Sequence, residues 1–135
     1  MPLMTPDPTF YPSARMAMQA PPEKLAYVAA LNVGNGKPDG LAVVDTDPTS
    51  ADYGTIVQTL NLPNVGDELH HFGWNACSSA LCPYAPHPHL ERRYLIVPTL
   101  RTSRIYVVDT KPDRRRPQVV KTSGPRRGRD PRPVT

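Results

Sequence analysis

The segment 41-LAVVDTDP-48 returns later in the chain as 105-IYVVDTKP-112, and this repeat decides how the rest of the sequence reads. Each copy is a β-branched run closed by Asp-Thr-x-Pro. Valine and isoleucine favour a pleated strand, and an acid followed by proline ends it in a turn. Upstream of each copy lies another apolar run, 25-LAYVAALNV-33 and 94-YLIVPTL-100, and downstream lies a third, 55-TIVQTLNL-62 and 118-QVVKTS-123. The unit is strand, loop, strand, turn, strand.

A repeated three-strand meander is the pattern of β-propeller blades, each of which covers the apolar face of its neighbour. The plainer alternative is an antiparallel sandwich, and the propeller is preferred. The fold class expected is all-β: an incomplete propeller of about one and a half to two blades of antiparallel meander, with irregular termini. Residues 1–23 read as an irregular N-terminal segment, 24–122 as the propeller portion with an inserted loop over 63–91, and 123–135 as a disordered basic Pro/Arg-rich tail. Closure takes about four blades or more, so the remaining blades are expected to be absent from this chain.

Composition agrees with short strands between turns. Eighteen prolines and eight glycines in 135 residues leave little room for long helices. No apolar run approaches the roughly 20 residues that cross a bilayer, so no membrane partner is expected. The start, MPLMTPDPTFYPSARMAMQA, lacks the basic and continuous apolar character of a secretory leader, which makes the cytoplasm the expected location. The net charge of +4 belongs to the tail: residues 1–113 hold eight Lys/Arg against eleven Asp/Glu, and 114–135 hold eight against one. Without aromatic residues to stack on bases, that tail can hold phosphates only nonspecifically, and no specific nucleic acid is expected.

The chemistry is concentrated in the insertion, 67-DELHHFGWNACSSALC-82, with two adjacent histidines, two acids, the only tryptophan and both cysteines. Imidazole and thiolate suit zinc and copper. Successive residues of a strand point to opposite faces, so His70 and His71 can share one metal only from a loop or bulge. Asn64, Gly66, Asp67 and Gly73 supply irregular backbone for that. The alternative leaves one histidine solvated and the other buried against a backbone partner. Asp67 and Glu68 are candidates to anchor an imidazole N–H, or else are solvated. Trp74 is a core aromatic or a pocket wall. Cys77 and Cys82, spaced C-x4-C, combine on paper with His87 and His89 into a Cys2His2 zinc site, the basis of a second reading as a small zinc-binding or interaction module. Against it, Pro83, Pro86 and Pro88 stiffen that segment, and its histidines read more simply as exposed loop residues.

The run 67-DELHHFGWNACSS-79, with 61-NLPNVG-66 before it and 103-SRIYVVDT-110 after it, closely resembles the start of the selenium-binding protein family, whose members include methanethiol oxidases. The likeness runs from about Leu25 to Thr122 and includes 40-GLAVVDTDPTSADYGTIVQTLNLPN-64. It implies a cytosolic β-propeller several times longer than this chain, in which some members oxidise methanethiol with oxygen to formaldehyde, hydrogen sulfide and hydrogen peroxide. It also implies copper as the metal, with the adjacent pair His70 and His71 among its ligands, and a small thiol as substrate. Gly54 stands where animal members carry a selenium-holding cysteine. Cys77 matches the first cysteine of the family's Cys-Ser-Ser-Cys, Ala80 stands at the second, and Cys82 is displaced by two, so Cys77 and Cys82 are the selenium or thiol candidates. No family counterpart is identified for His87 or His89. The tail 123-SGPRRGRDPRPVT-135 resembles nothing in the family and reads as a frame change near Thr122, which the downstream DNA tests. An N-terminal portion of this kind, bearing two histidines of a larger ligand set, is expected to lack independent catalysis.

Overall fold

A computed structural model describes residues 14–32, 34–75 and 91–124. It contains a short helix, α1 (Ala14–Gln19), and seven strands: β1 (Leu25–Ala30), β2 (Pro38–Asp45), β3 (Ile56–Val65), β4 (Gly73–Trp74), β5 (Tyr94–Pro98), β6 (Ile105–Asp109) and β7 (Gln118–Ser123). The strands form two antiparallel meanders, β1-β2-β3 and β4-β5-β6-β7. This is the all-β architecture expected. Two details differ from the sequence reading: α1 lies in the irregular N-terminal segment, and part of the inserted loop, Gly73–Trp74, is a strand that extends the second sheet. A two-residue strand carries no periodicity to read.

The repeat is physical down to single hydrogen bonds. Asp45 accepts from the Asp47 amide at 2.9 Å, and Asp109 from the Lys111 amide at 3.0 Å. Thr46 donates its hydroxyl to the Glu23 carbonyl at 3.0 Å, and Thr110 donates to the Arg93 carbonyl at 2.7 Å. The acid thus closes the turn, and the threonine ties it back to the chain entering the preceding strand, β1 in the first sheet and β5 in the second. A register shift falls at the same place in each copy, between Val43 and Val44 and between Val107 and Val108.

Alternation then sets the core. Leu41, Leu62, Leu69, Leu95, Val97, Tyr106 and Val108 form one buried cluster, with Tyr27, Ala29, Leu60, Phe72, Trp74 and Val119 packed on it. One face of the first sheet therefore meets one face of the second, and each fully buried large side chain contributes about 1.5–3 kcal/mol. Gly40 allows β2 and β3 to approach closely, since a Cβ there would stand 2.6 Å from the Leu60 carbonyl oxygen. Arg115, in the β6–β7 turn, crosses to Asp45 at 3.0 Å and to Asp52 at 3.2 Å, joining the sheets at their edge. Among the described residues no helix is long and apolar enough to cross a membrane.

Candidate functional site

The chain leaves β3 at Val65 and re-enters the second sheet at Gly73, and the histidine pair lies in the irregular connection between them. Gly66 takes φ of 79° and Glu68 φ of 54°, the latter a left-handed conformation that costs a non-glycine residue roughly 1–2 kcal/mol. The turn is held in several ways. The Leu100 amide donates to the Glu68 carbonyl at 3.0 Å, the Arg101 amide donates to the Asp67 carbonyl at 3.2 Å, and Leu69 bridges Thr99.

Two buried aspartates, Asp39 and Asp67, tie this connection to the first and the second sheet, respectively. Asp39, in β2, accepts the Leu69 amide at 2.8 Å on one carboxylate oxygen and the Asn32 amide at 2.7 Å on the other. Asp67 is fully buried and accepts from Thr102 Oγ1 at 2.6 Å, from Arg104 Nη1 at 2.7 Å and from the Tyr106 hydroxyl. Asn64 Nδ2 donates to that hydroxyl at 2.8 Å. Burial, and then the hydrogen bond to Asp67, raises the Tyr106 phenol above its ordinary value; the bond to Asp67 raises the Arg104 guanidinium too. A carboxylate with three donors is fully matched, which stiffens the backbone that carries it.

His70 and His71 follow directly. Their rings lie with centroids 4.3 Å apart and planes at 58°, and their Nδ1 atoms are 2.7 Å apart. Both are exposed. Irregular backbone thus brings adjacent imidazoles to one side, as strand geometry could not. Two nitrogens held at a right angle by one ion at about 2.0 Å each would stand ~2.8 Å apart, so the pair matches two cis positions of a tetragonal copper shell, whereas a tetrahedral zinc ion would hold them ~3.3 Å apart. It supplies no third: among the described residues no group of three His, Cys, Asp or Glu is placed to hold a metal.

The other candidates fall differently. The sequence reading offered imidazole partners to Asp67 and Glu68, whereas the structure gives their carboxylates to Thr102, Arg104 and Tyr106 and to Arg101, respectively. Trp74 faces the core and a cleft at once. It packs on the core, meets Tyr27 edge-on at 6.0 Å, and carries Arg92 at 5.2 Å from its ring centroid. It also lines a cleft of about 820 Å³ between the sheets, with Tyr27, Phe72, Leu95, Arg92 and Arg114. Cys77, Cys82, His87 and His89 lie outside the described residues. Asp39 and Tyr106 escaped the sequence reading, and Asn64 entered it only as irregular backbone. Asp39 sits in 37-KPDG-40, which reads as a turn, and Tyr106 reads as one more apolar strand residue.

Comparison with known proteins places this geometry. The family model described as 56kDa selenium binding protein (SBP56) matches residues 4–128 and so runs past Thr122, the end expected from the resemblance. Selenium-binding protein 3 of Arabidopsis thaliana is 47% identical over 117 residues, which cover 85% of this chain and 24% of that protein. Methanethiol oxidase of Xenopus laevis is 45% identical over 117 residues, with the same shares. The X-ray structure of a hypothetical selenium-binding protein from Sulfolobus tokodaii superposes with a TM-score of 0.80 at 59% identity, covering 87% of this chain and 26% of that one. The chain therefore spans about a quarter of the length of the curated relatives it matches. Nothing in these matches supports the alternative of a zinc module on Cys77, Cys82, His87 and His89.

Proposed function

Because this chain belongs to the 56kDa selenium binding protein family, we propose that His70 and His71 are its share of a copper site serving methanethiol oxidation, a site whose remaining ligands come from outside the described residues. The observation that carries this reading is the convergence of the two Nδ1 atoms, 2.7 Å apart, on a connection tied down by Asp39 and Asp67. The balanced reaction is methanethiol, oxygen and water to formaldehyde, hydrogen sulfide and hydrogen peroxide. Copper, when bound, would supply the thiol affinity and the electron relay to oxygen that no amino-acid side chain provides.

The chain's own part is positional. Neutral imidazoles offer lone pairs, and their fixed separation lowers the entropy lost when an ion is gripped. Asp39 holds the amide next to His70, and Asp67 holds the turn before it. Two nitrogens bind an ion weakly compared with a complete set of three or four ligands, so this chain alone is expected to turn over no methanethiol. The relatives' name points also to selenium, and the thiols available to it are Cys77 and Cys82, the only cysteines.

Titration with Cu(II), followed by electron paramagnetic resonance, tests the ligand assignment. A weak site with nitrogen hyperfine structure is expected, and His70→Ala or His71→Ala should each lower its affinity at least tenfold. Unchanged binding in both variants would refute it. Hydrogen peroxide released at a steady rate by the isolated chain with copper and methanethiol would overturn the expectation of no turnover.

A further inference from the structure

The two sheets are copies of one unit, and the copies stack in a single direction. Matching Asp45 to Asp109 equates Leu41 with Ile105, Ala42 with Tyr106, Val43 with Val107 and Val44 with Val108. Strand pairing extends the match: Leu25 faces Asp45 as Tyr94 faces Asp109, so Ala26 corresponds to Leu95, Tyr27 to Ile96 and Val28 to Val97.

The first sheet buries the face that carries Tyr27, Ala29, Leu41 and Leu60. The second buries the opposite face of the unit, the one that carries Leu95, Val97, Tyr106 and Val108. The interface is therefore heterologous, one kind of face against the other, and each sheet keeps in reserve the half that its neighbour has used. On the second sheet the reserve face carries Tyr94, Ile96, Ile105 and Val107, with Ile105 41% exposed. On the first sheet it carries Ala26, Val28, Ala42, Val44 and Ile56, with Val28 48% and Ile56 63% exposed. The larger side chains lie on one reserve face and mostly smaller ones on the other, which lets ridges on the one enter space left by the other.

We propose that these reserve faces bind each other between two copies of this chain, so that the protein self-associates head to tail in the register its own sheets already use. The partner is a second copy because each chain carries both halves of the interface, built from the same repeat that packs internally. A heterologous contact does not stop at two copies. This inference rests on the packing of the sheets and is independent of any metal.

Sedimentation velocity and light scattering on the full chain test it. The expected mass rises with concentration from 14.9 kDa to a multiple of it. Ile105→Glu removes one reserve face and Val28→Glu the other, both at exposed positions, and circular dichroism checks that each variant keeps its sheets. Each variant alone should remain a monomer. An equal mixture should give a dimer and nothing larger, since one intact face of each kind survives. A wild-type chain that stays monomeric at high concentration, a variant that dimerises by itself, or a mixture that stays monomeric would each overturn the proposal.

Discussion

Replacing Tyr106 with phenylalanine removes one hydroxyl and leaves the ring. That hydroxyl donates to the buried Asp67 carboxylate and accepts from Asn64 Nδ2, in the centre of the cluster that joins the two sheets. A hydrogen bond to a charged, buried acceptor contributes about 1.5–3 kcal/mol, and the abandoned Asn64 amide is part-buried, so Tyr106→Phe is expected to cost about 2–3 kcal/mol. Asp67→Asn keeps the shape but removes the charge from the face of Arg104. Breaking a buried pair costs about 3–5 kcal/mol. Here the Arg104 side chain is 31% exposed and partly rehydrates, which lowers the expectation to about 2–4 kcal/mol. Against a total of about 5–15 kcal/mol for a domain, either change should move the urea midpoint far. Trp74, the only tryptophan, packs on the same cluster and reports unfolding by fluorescence. The decisive measurement is the double-mutant cycle. Since both changes strike one hydrogen bond, they should couple by more than about 0.5 kcal/mol, and additivity within that margin would refute the shared network.

Gly40→Ala should drive a methyl group against the Leu60 carbonyl and cost about 1–3 kcal/mol, seen as a lowered thermal midpoint; an unchanged midpoint would show that β2 and β3 can part without penalty. Acid should also destabilise the protein. The Thr49 hydroxyl, followed by Lys24, holds Asp47 at about 2, below its ordinary 3.8; the Asp47 amide lowers Asp45, and Arg93 lowers Asp109. Depressed carboxylates give stability that is complete above their unfolded pKa and is lost as pH falls through the folded value, so the urea midpoint should be level above about pH 5 and fall toward pH 2. A midpoint that stays flat down to pH 2.5 would count against these pairs.

The legible part of this protein was local. β-branched runs, the Asp-Thr-x-Pro closures and their recurrence lay in the order of residues, because strand alternation and turn hydrogen bonds act over a few positions. Their agreement with the structure extends to Thr46 and Thr110 making the same bond in each sheet. The histidine pair was visible as residue types, and the need for irregular backbone followed from strand geometry. Its actual fixation was not visible: Leu69 is held by Asp39 and the preceding turn by Arg104 and Tyr106, partners 30, 37 and 39 residues away.

What the sequence by itself determined, then, is a repeated antiparallel unit with reactive residues between its two copies. Tertiary structure decided the rest. It made Asp39 and Asp67 anchors, turned Gly73 and Trp74 into a fourth strand, and set one kind of sheet face on the other. The physical reason is that a side chain's partner across a sheet interface depends on how two independently formed surfaces are registered, and the packing of Leu41 and Tyr106 in one core sets that registration.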